Sequence, residues 1–235
     1  MNFRDPVKST CTLQPPLQQM LCYLVIMAIA SCSSANKMCS SINSSLGMTD
    51  SGRQRVVELH NTLRSHLSNG KVINGPYNGH FKKGGNIMKM EYDCELEAIA
   101  DEIAVGCKID EVNERRLSQT GENLYVFTGS EGGIHEVIKR AIHAWWNEIF
   151  TSGVNRKVLF TKYIAQSSST PLEFIQMAWA TTRKIGCARM ICSGRQFFVC
   201  KYEPEGRILN KPIFRYGDPC SLCEKCDKNL GLCLA

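Results

Sequence analysis

Two carboxylates of the sequence lie where apolar side chains are expected, and either could act in acid–base chemistry or hold a cation. The first is Glu173, in the segment LEFIQMAWATTRKIGC over 172–187. With the period of two of an extended chain, Glu173 falls in line with Ile175, Met177 and Trp179. A carboxylate in such a row either reaches water at a strand end or is buried and has a functional role. Both alternatives are open from these residues alone.

The second carboxylate is Glu148, near the end of an amphipathic helix predicted over 134–150. At about 100° per residue, Glu148 lies on the apolar face between Ala141 and Trp145. It is also near enough to the helix end to reach water, so the buried and solvated alternatives stand side by side. Two carboxylates can act as acid and base in glycoside hydrolysis, which makes an enzyme one hypothesis to weigh.

Enzymes that use a cysteine or serine nucleophile are a separate possibility, and the sequence does not support them. The cysteines are expected to be oxidised, which leaves no thiolate, and the histidines fit no Ser–His–Asp arrangement that the sequence shows. His60 and His66, among Arg and polar residues of one predicted helix, are not expected to bind metal. The five histidines are His60, His66, His80, His135 and His143.

The N-terminal region is typical of an exported protein. An apolar run over 20–30, MLCYLVIMAIA, is followed by the small residues of a cleavage site. We predict cleavage after Ala35, which makes residues 1–35 the signal peptide, with Met20 as an alternative start. The expected location is extracellular. No apolar run reaches the roughly 18 residues that span a bilayer, so no stable membrane insertion is expected.

The cysteine count agrees with export. Cleavage after Ala35 leaves an even ten cysteines, which predicts disulfides formed in an oxidising compartment. Cys192 and Cys200 flank a predicted hairpin and are expected to pair across it. The sequence Asn43-Ser44-Ser45 is an N-glycosylation sequon. The ten cysteines are Cys39, Cys94, Cys107, Cys187, Cys192, Cys200, Cys220, Cys223, Cys226 and Cys233.

Periodicity predicts the elements that must position the two carboxylates. Helices are predicted over 51–67, from Asp93 to 107, and over 134–150. The segment that contains Glu173 then leads into a hairpin with strands over 185–192 and 196–202 around Ser193-Gly194-Arg195.

The segments between these elements are predicted to be loops. The range 69–85 is rich in glycine and 151–170 is polar, and each is either a recognition loop or a solvated connector. Composition divides the exported chain into an N-terminal arm over 36–50, a main domain over 51–208 and a cysteine-rich tail over 209–235. In an exported protein, the CxxCxxC spacing of the tail favours disulfides over zinc.

The charge pattern gives little indication of a partner. The formal net charge is +6, with 28 Lys and Arg against 22 Asp and Glu. Basic residues are scattered among acidic ones, and no basic stripe is interleaved with aromatic residues. No nucleic-acid partner is therefore expected, and solubility is a sufficient explanation for the modest positive charge.

Six segments, taken in order, carry a family pattern. They are VVELHNTLRSHLSNGKV (56–72), MKMEYDCELEAIADEIAVGC (88–107), GENLY (121–125), AIHAWWNEI (141–149), IQMAWATTRKIGCARMIC (175–192) and FFVCKYEPEGRI (197–208). Together they resemble the CAP superfamily, also called SCP/TAPS, in the form of nematode activation-associated secreted proteins and venom-allergen-like proteins. The resemblance implies an α/β fold: a three-layer α-β-α sandwich with a central antiparallel sheet, rich in disulfides, with a short cysteine-rich C-terminal appendage.

The resemblance also implies a cleft where two Glu and two His converge and bind a divalent ion in some members. The two Glu positions match Glu122 and Glu148, and the resemblance favours a cleft-facing Glu173. Both His positions are lost: one falls in KIDEV over 108–112, which offers Glu111, and the other falls at Glu173. Zinc prefers imidazole and thiolate, so we predict that this cleft binds no zinc and that no cofactor is required. Four carboxylates would instead suit a hard cation or share protons.

For function, the resemblance implies a secreted parasite effector that binds host extracellular or cell-surface proteins and modulates immune or inflammatory responses. It gives no support for a glycosidase, so we predict no catalytic residues and no enzymatic activity. The alternative is a secreted carrier of a small lipid or sterol, held in a groove of the CAP domain. A stored, antigen-like module without a ligand is the third hypothesis.

Overall fold

The computed structural model describes residues 38–39, 47–76, 78–107, 121–129 and 132–235. The predicted signal peptide over 1–35, the sequon at Asn43 and the cleft candidate Glu111 lie outside the described residues. Within the described residues, no helix is long and apolar enough to cross a membrane.

Three long helices form where the sequence predicts them, and a side chain caps the start of the first two. Helix α1 (Asp50–Ser68) begins after Thr49, whose hydroxyl accepts a hydrogen bond from the Gly52 N–H. Helix α2 (Cys94–Val105) begins after Asp93, whose carboxylate accepts from the N–H groups of the first turn. Helix α3 is Ile134–Ser152. Each bound lies within two residues of the periodicity-based prediction.

The central sheet has four strands in the order β1-β4-β5-β2. Strands β2, β4 and β5 pair antiparallel, and the short β1 pairs parallel with β4 at the edge. Two small two-stranded ladders join β3 with β6 and β7 with β8. The strands are β1 (Glu91–Tyr92), β2 (Glu122–Thr128), β3 (Leu159–Phe160), β4 (Lys184–Cys192), β5 (Arg195–Glu203), β6 (Lys211–Pro212), β7 (Cys226–Asp227) and β8 (Leu232–Cys233).

Helices cover both faces of this sheet, which gives the three-layer α-β-α sandwich that the sequence predicts. On one face α2 packs closely through small side chains, Ala100 and Ala104 against Ala188 and Val199. Gly186 is required here because a Cβ at this position would lie 2.2 Å from the Glu97 backbone nitrogen. The larger core, which contains Trp145, Phe174 and Phe198, lies on the other face.

A buried ion pair links α1 to α2. Arg53 donates two hydrogen bonds to the carboxylate of Glu97, at 2.7 and 2.6 Å. Tyr92 of β1 also donates to Glu97 Oε2, at 2.5 Å. A buried charge pair is stable only when its remaining hydrogen-bonding groups are satisfied, and Tyr92 and Asp50 do so here.

The structure corrects the prediction that residues 172–187 are extended. The segment begins as a short helix α5 (Leu172–Ala178), and strand β4 begins only at Lys184. Residues 173–178 are buried on every side of the helix, so there is no polar face to reveal its period. A short apolar run of this kind fits both the helical and the extended pattern. The predicted loop over 151–170 likewise contains the end of α3, strand β3 and a short helix α4 (Lys162–Gln166).

The described residues form five disulfides, as the count of ten cysteines predicts, but the predicted Cys192–Cys200 pair is wrong. Cys200 is bonded to Cys187, and Cys192 to Cys107. The β4–β5 turn has two residues rather than three, so Cys192 lies opposite Arg195 and Cys187 opposite Cys200. The other bonds are Cys39–Cys94, Cys220–Cys226 and Cys223–Cys233.

Candidate functional site

Glu122, the first residue of β2, is held in a buried position by backbone pairing. Gly121 precedes it with φ 56° and approaches Tyr202 so closely that a Cβ would lie 2.6 Å from the Tyr202 carbonyl oxygen. Glu122 is 6% exposed and lies opposite Lys201 in the β2–β5 ladder. The Lys201 ammonium is 3.6 Å from Glu122 Oε2, and Arg207 donates to the Glu122 carbonyl at 2.9 Å. The carboxylate therefore has a cation of the same chain beside it.

Glu148 reaches from the last turns of α3 to the start of α5. Its Oε2 accepts hydrogen bonds from the backbone N–H groups of Glu173, at 3.0 Å, and Phe174, at 3.2 Å. The residue before α5 is Pro171, whose side chain makes no capping hydrogen bond. A carboxylate at the start of a helix satisfies N–H groups that otherwise have no acceptor in the helix. Glu148, a residue of α3, therefore acts as the N-terminal cap of α5.

Glu173 lies in the first turn of α5 and is 2% exposed. Its carbonyl oxygen accepts a hydrogen bond from Asn123 Nδ2 at 3.0 Å. Asn123 follows Glu122 directly, so β2 contacts α5 at the point where α3 caps it. The structure thus places Glu122, Glu148 and Glu173 in one neighbourhood, formed by β2, α3 and α5.

This neighbourhood does not fit a zinc ion. Its acidic residues offer only carboxylate oxygens, whereas zinc sites are built mainly from imidazole and thiolate. Among the described residues, the one group of three His, Cys, Asp or Glu ligand atoms within 4.8 Å of one another is Cys220, Cys223 and Cys233. All three of these sulfurs are in disulfides. Lys201 beside Glu122 adds a positive charge that would oppose a cation there.

A buried polar chain that ends at Asn123 is not predicted from the sequence. His60 Nδ1 donates to the Val56 carbonyl at 2.8 Å, so in the neutral ring Nε2 accepts from the Tyr202 hydroxyl at 3.0 Å. Asn123 Nδ2 lies 3.4 Å from the same hydroxyl. Burial lowers the pKa of His60 to about 4, which keeps the ring neutral. The sequence signal for its burial is helical spacing, because position 60 is four residues after Val56 and three before Leu63.

Arg64, also on α1, holds the turn between α5 and β4. It is fully buried, and burial lowers the pKa of its guanidinium to about 9. It forms six hydrogen bonds with backbone carbonyl groups, which fix the path of the chain on both sides of the turn. The acceptors are the carbonyl oxygens of Met88, Met177, Trp179, Ala180 and Thr182.

A groove with a volume of about 730 Å³ opens beside α5. It is formed by the end of α3, the following loop and α4, and it ends at Pro171. Arg156 and Lys157 line it together with the hydroxyl groups of several Ser, Thr and Tyr residues. Tyr163, also in its wall, is 82% exposed. None of the residues that line the groove is acidic.

The geometry agrees with what comparison with known proteins finds. The family model described as CAP, the cysteine-rich secretory protein family, matches residues 57–202. The chain is 33% identical over 204 residues to Ancylostoma secreted protein of Ancylostoma caninum, a match that covers 85% of this chain and 47% of that relative. The chain therefore spans about half the length of that curated relative.

Two solved structures share most of the fold. The crystal structure of NaASP2 with Zn²⁺ is 35% identical with a TM-score of 0.72, and the match covers 80% of this chain and 97% of that chain. The crystal structure of hookworm platelet inhibitor is 28% identical with a TM-score of 0.66, over 84% of this chain and 97% of that chain.

Proposed function

This chain belongs to the CAP family of cysteine-rich secretory proteins, and from that premise we propose that it is a secreted parasite effector that binds host proteins or cells without catalysis. Its place of action is the extracellular space, and the effect on the host is modulation of immune or inflammatory responses. Support comes from its disulfides, which suit an oxidising compartment, and from a nematode secreted relative.

One observation carries the proposal: the cleft carboxylates are engaged within the protein while the neighbouring loops are exposed. Glu148 caps α5 and Glu122 pairs with Lys201. A general acid or base must reach the substrate, and a carboxylate that is already held by partners within the protein is poorly placed for that task. The segment 153–161 and α4 instead present an open groove and the exposed Tyr163, features that suit recognition.

The name of one structural neighbour decides which partners are tested first. One similar structure is named as a platelet inhibitor, and so is described by its effect on a host cell. Because this chain has the same fold and is 28% identical to that protein, blood components are the first partners to test. The groove wall contains the apolar residues Val154, Leu159 and Ile164 as well as cations and hydroxyl groups, so the alternative of lipid or sterol carriage needs its own test. Lipid extraction and mass spectrometry of the purified protein supply that test, and a bound lipid would support the alternative.

The test is capture of host proteins and cells by the glycosylated, disulfide-bonded protein. Plasma, platelets and leukocytes are incubated with it, and saturable binding is measured by flow cytometry and by mass spectrometry of captured proteins. We expect at least one partner whose binding is lost when the disulfides are reduced. Absence of saturable binding to all of them would contradict the proposal.

A further inference from the structure

Three segments of the chain concentrate its positive charge. The ranges 71–85, 151–170 and 206–217 hold nine of the 28 Lys and Arg and none of the 22 Asp and Glu. They lie far apart in the sequence, so no basic stripe is visible in it. The net charge of +6 is therefore unevenly distributed, and these segments carry more than the whole excess.

The fold brings the three segments together on one side of the molecule. Strands β3 and β6 pair Phe160 with Lys211, and the Ile213 N–H donates to the Val158 carbonyl. The Tyr216 hydroxyl donates to the Arg156 carbonyl at 2.6 Å. The first segment joins them where Lys82 Nζ lies 5.7 Å from the centre of the Tyr216 ring. These contacts are tertiary, which explains why the charge pattern is hidden in the sequence.

The cations that result form a surface that we call the basic face. All six of its side chains are exposed. No ion pair within 4.0 Å joins any of them to an acidic group of the described residues. The neighbouring Lys83 is not counted in the basic face because it pairs with Asp218. The members are Lys82, Arg156, Lys157, Lys162, Lys211 and Arg215.

The groove supplies a place for individual anionic groups within this face. Arg156 and Lys157 line it together with Tyr163, Ser167 and Ser169, which contribute hydroxyl donors. Cationic and hydroxyl donors without a competing carboxylate are the groups that bind sulfate and phosphate oxygens. A volume of about 730 Å³ is sufficient for a few sugar units rather than for a single ion.

We propose that the basic face binds a sulfated glycan of the extracellular matrix or cell surface, with sulfate groups on Arg156 and Lys157 in the groove. A linear polyanion with many charges matches a face whose cations come from three segments. Binding to such a polymer is driven by counterion release, so it is strong at low salt and falls steeply as salt rises. The proposal rests on the proposed function, because such a ligand is met only outside the cell.

Heparin is the probe, and two variants of equal charge separate a site from a general charge effect. The first is Arg156→Gln/Lys157→Gln, which removes two cations of the groove. The control is Lys139→Gln/Arg195→Gln, which removes two exposed cations elsewhere. Lys139 is thirteen residues before Ser152 on α3, or about 20 Å along the helix. Binding is measured by calorimetry over a series of salt concentrations, and thermal unfolding confirms that both variants are folded.

We expect the groove variant to bind heparin roughly tenfold more weakly at physiological salt, with a slope of log affinity against log salt reduced by about two. The control variant should bind like the wild type, and desulfated heparin should not compete. Equal weakening in both variants would overturn the proposal. So would equal competition by double-stranded DNA or by phosphatidylserine vesicles, because the face would then recognise negative charge alone.

A cell experiment separates this proposal from the proposed function. Host cells are compared with and without heparinase treatment. Loss of binding after treatment supports both proposals. Binding that survives treatment and is unchanged in the groove variant overturns the glycan site and leaves the proposed function standing. Heparin binding through the groove without any binding to host cells or proteins leaves the glycan site standing and contradicts the proposed function.

Discussion

Glu148 accepts a hydrogen bond from the backbone N–H of Glu173 at 3.0 Å, so two carboxylates predicted to share a cleft are joined through the start of a helix. The side chain of one caps the helix that carries the other. A carboxylate that the family resemblance assigns to a cleft is here part of the framework. The position of Glu173 therefore depends on Glu148.

Replacing Glu148 by Ala should destabilise the protein by about 1–3 kcal/mol, because two N–H groups at the start of α5 lose their acceptor. Glu148→Gln keeps an acceptor oxygen and should cost clearly less. Urea unfolding at neutral pH measures both. Equal stability of the Ala variant and the wild type would show that the cap contributes nothing.

The buried His60 should make stability depend on pH. Its pKa is about 4 in the folded protein against 6.5 for the ordinary side chain, so the unfolded chain binds more protons between these values. Stability is therefore complete above about pH 6.5 and falls as the pH decreases towards 4, by about 3 kcal/mol over the full range.

Denaturant unfolding at several pH values tests this with a matched pair of variants. His60→Gln should lose this part of the pH dependence. His66→Gln, on the exposed side of the same helix, should keep it. A pH profile that is the same in both variants would contradict the assignment to His60.

Gly186→Ala should destabilise the contact between β4 and α2, because its Cβ would meet the Glu97 backbone nitrogen at 2.2 Å. Backbone cannot rotate away as a side chain can, so a cost of about 1–3 kcal/mol is expected. Gly133→Ala is the control, since its Cβ meets nothing within 4 Å and its cost, about 1 kcal/mol at most, comes only from the weaker N-cap of α3. Thermal unfolding of both variants is the measurement, and similar melting temperatures would refute the close approach.

The cleft should not bind zinc at micromolar concentration. Calorimetric titration of the purified protein with zinc, alongside Glu122→Ala, is the test. Weak surface adsorption should be unchanged in that variant and equally unchanged in Glu136→Ala, an exposed control on α3. Micromolar binding that Glu122→Ala abolishes would contradict the prediction and restore a metal site at the cleft.

The sequence by itself determined the long helices, the presence of disulfides and the family. These follow from periodicity along one element, from the number of cysteines and from the order of six short motifs. Tertiary structure alone decided that residues 172–178 form a helix, because their burial on all sides removes the polar face that would reveal the period.

Tertiary structure also decided which groups meet. Cys200 bonds Cys187 because a two-residue turn sets the register, and a change of one residue in a turn shifts every opposite pair. Glu148 of α3 accepts hydrogen bonds from the start of α5. Three segments without acidic residues lie side by side and form the basic face. Such pairings depend on how distant segments pack, and spacing within the sequence carries no record of them.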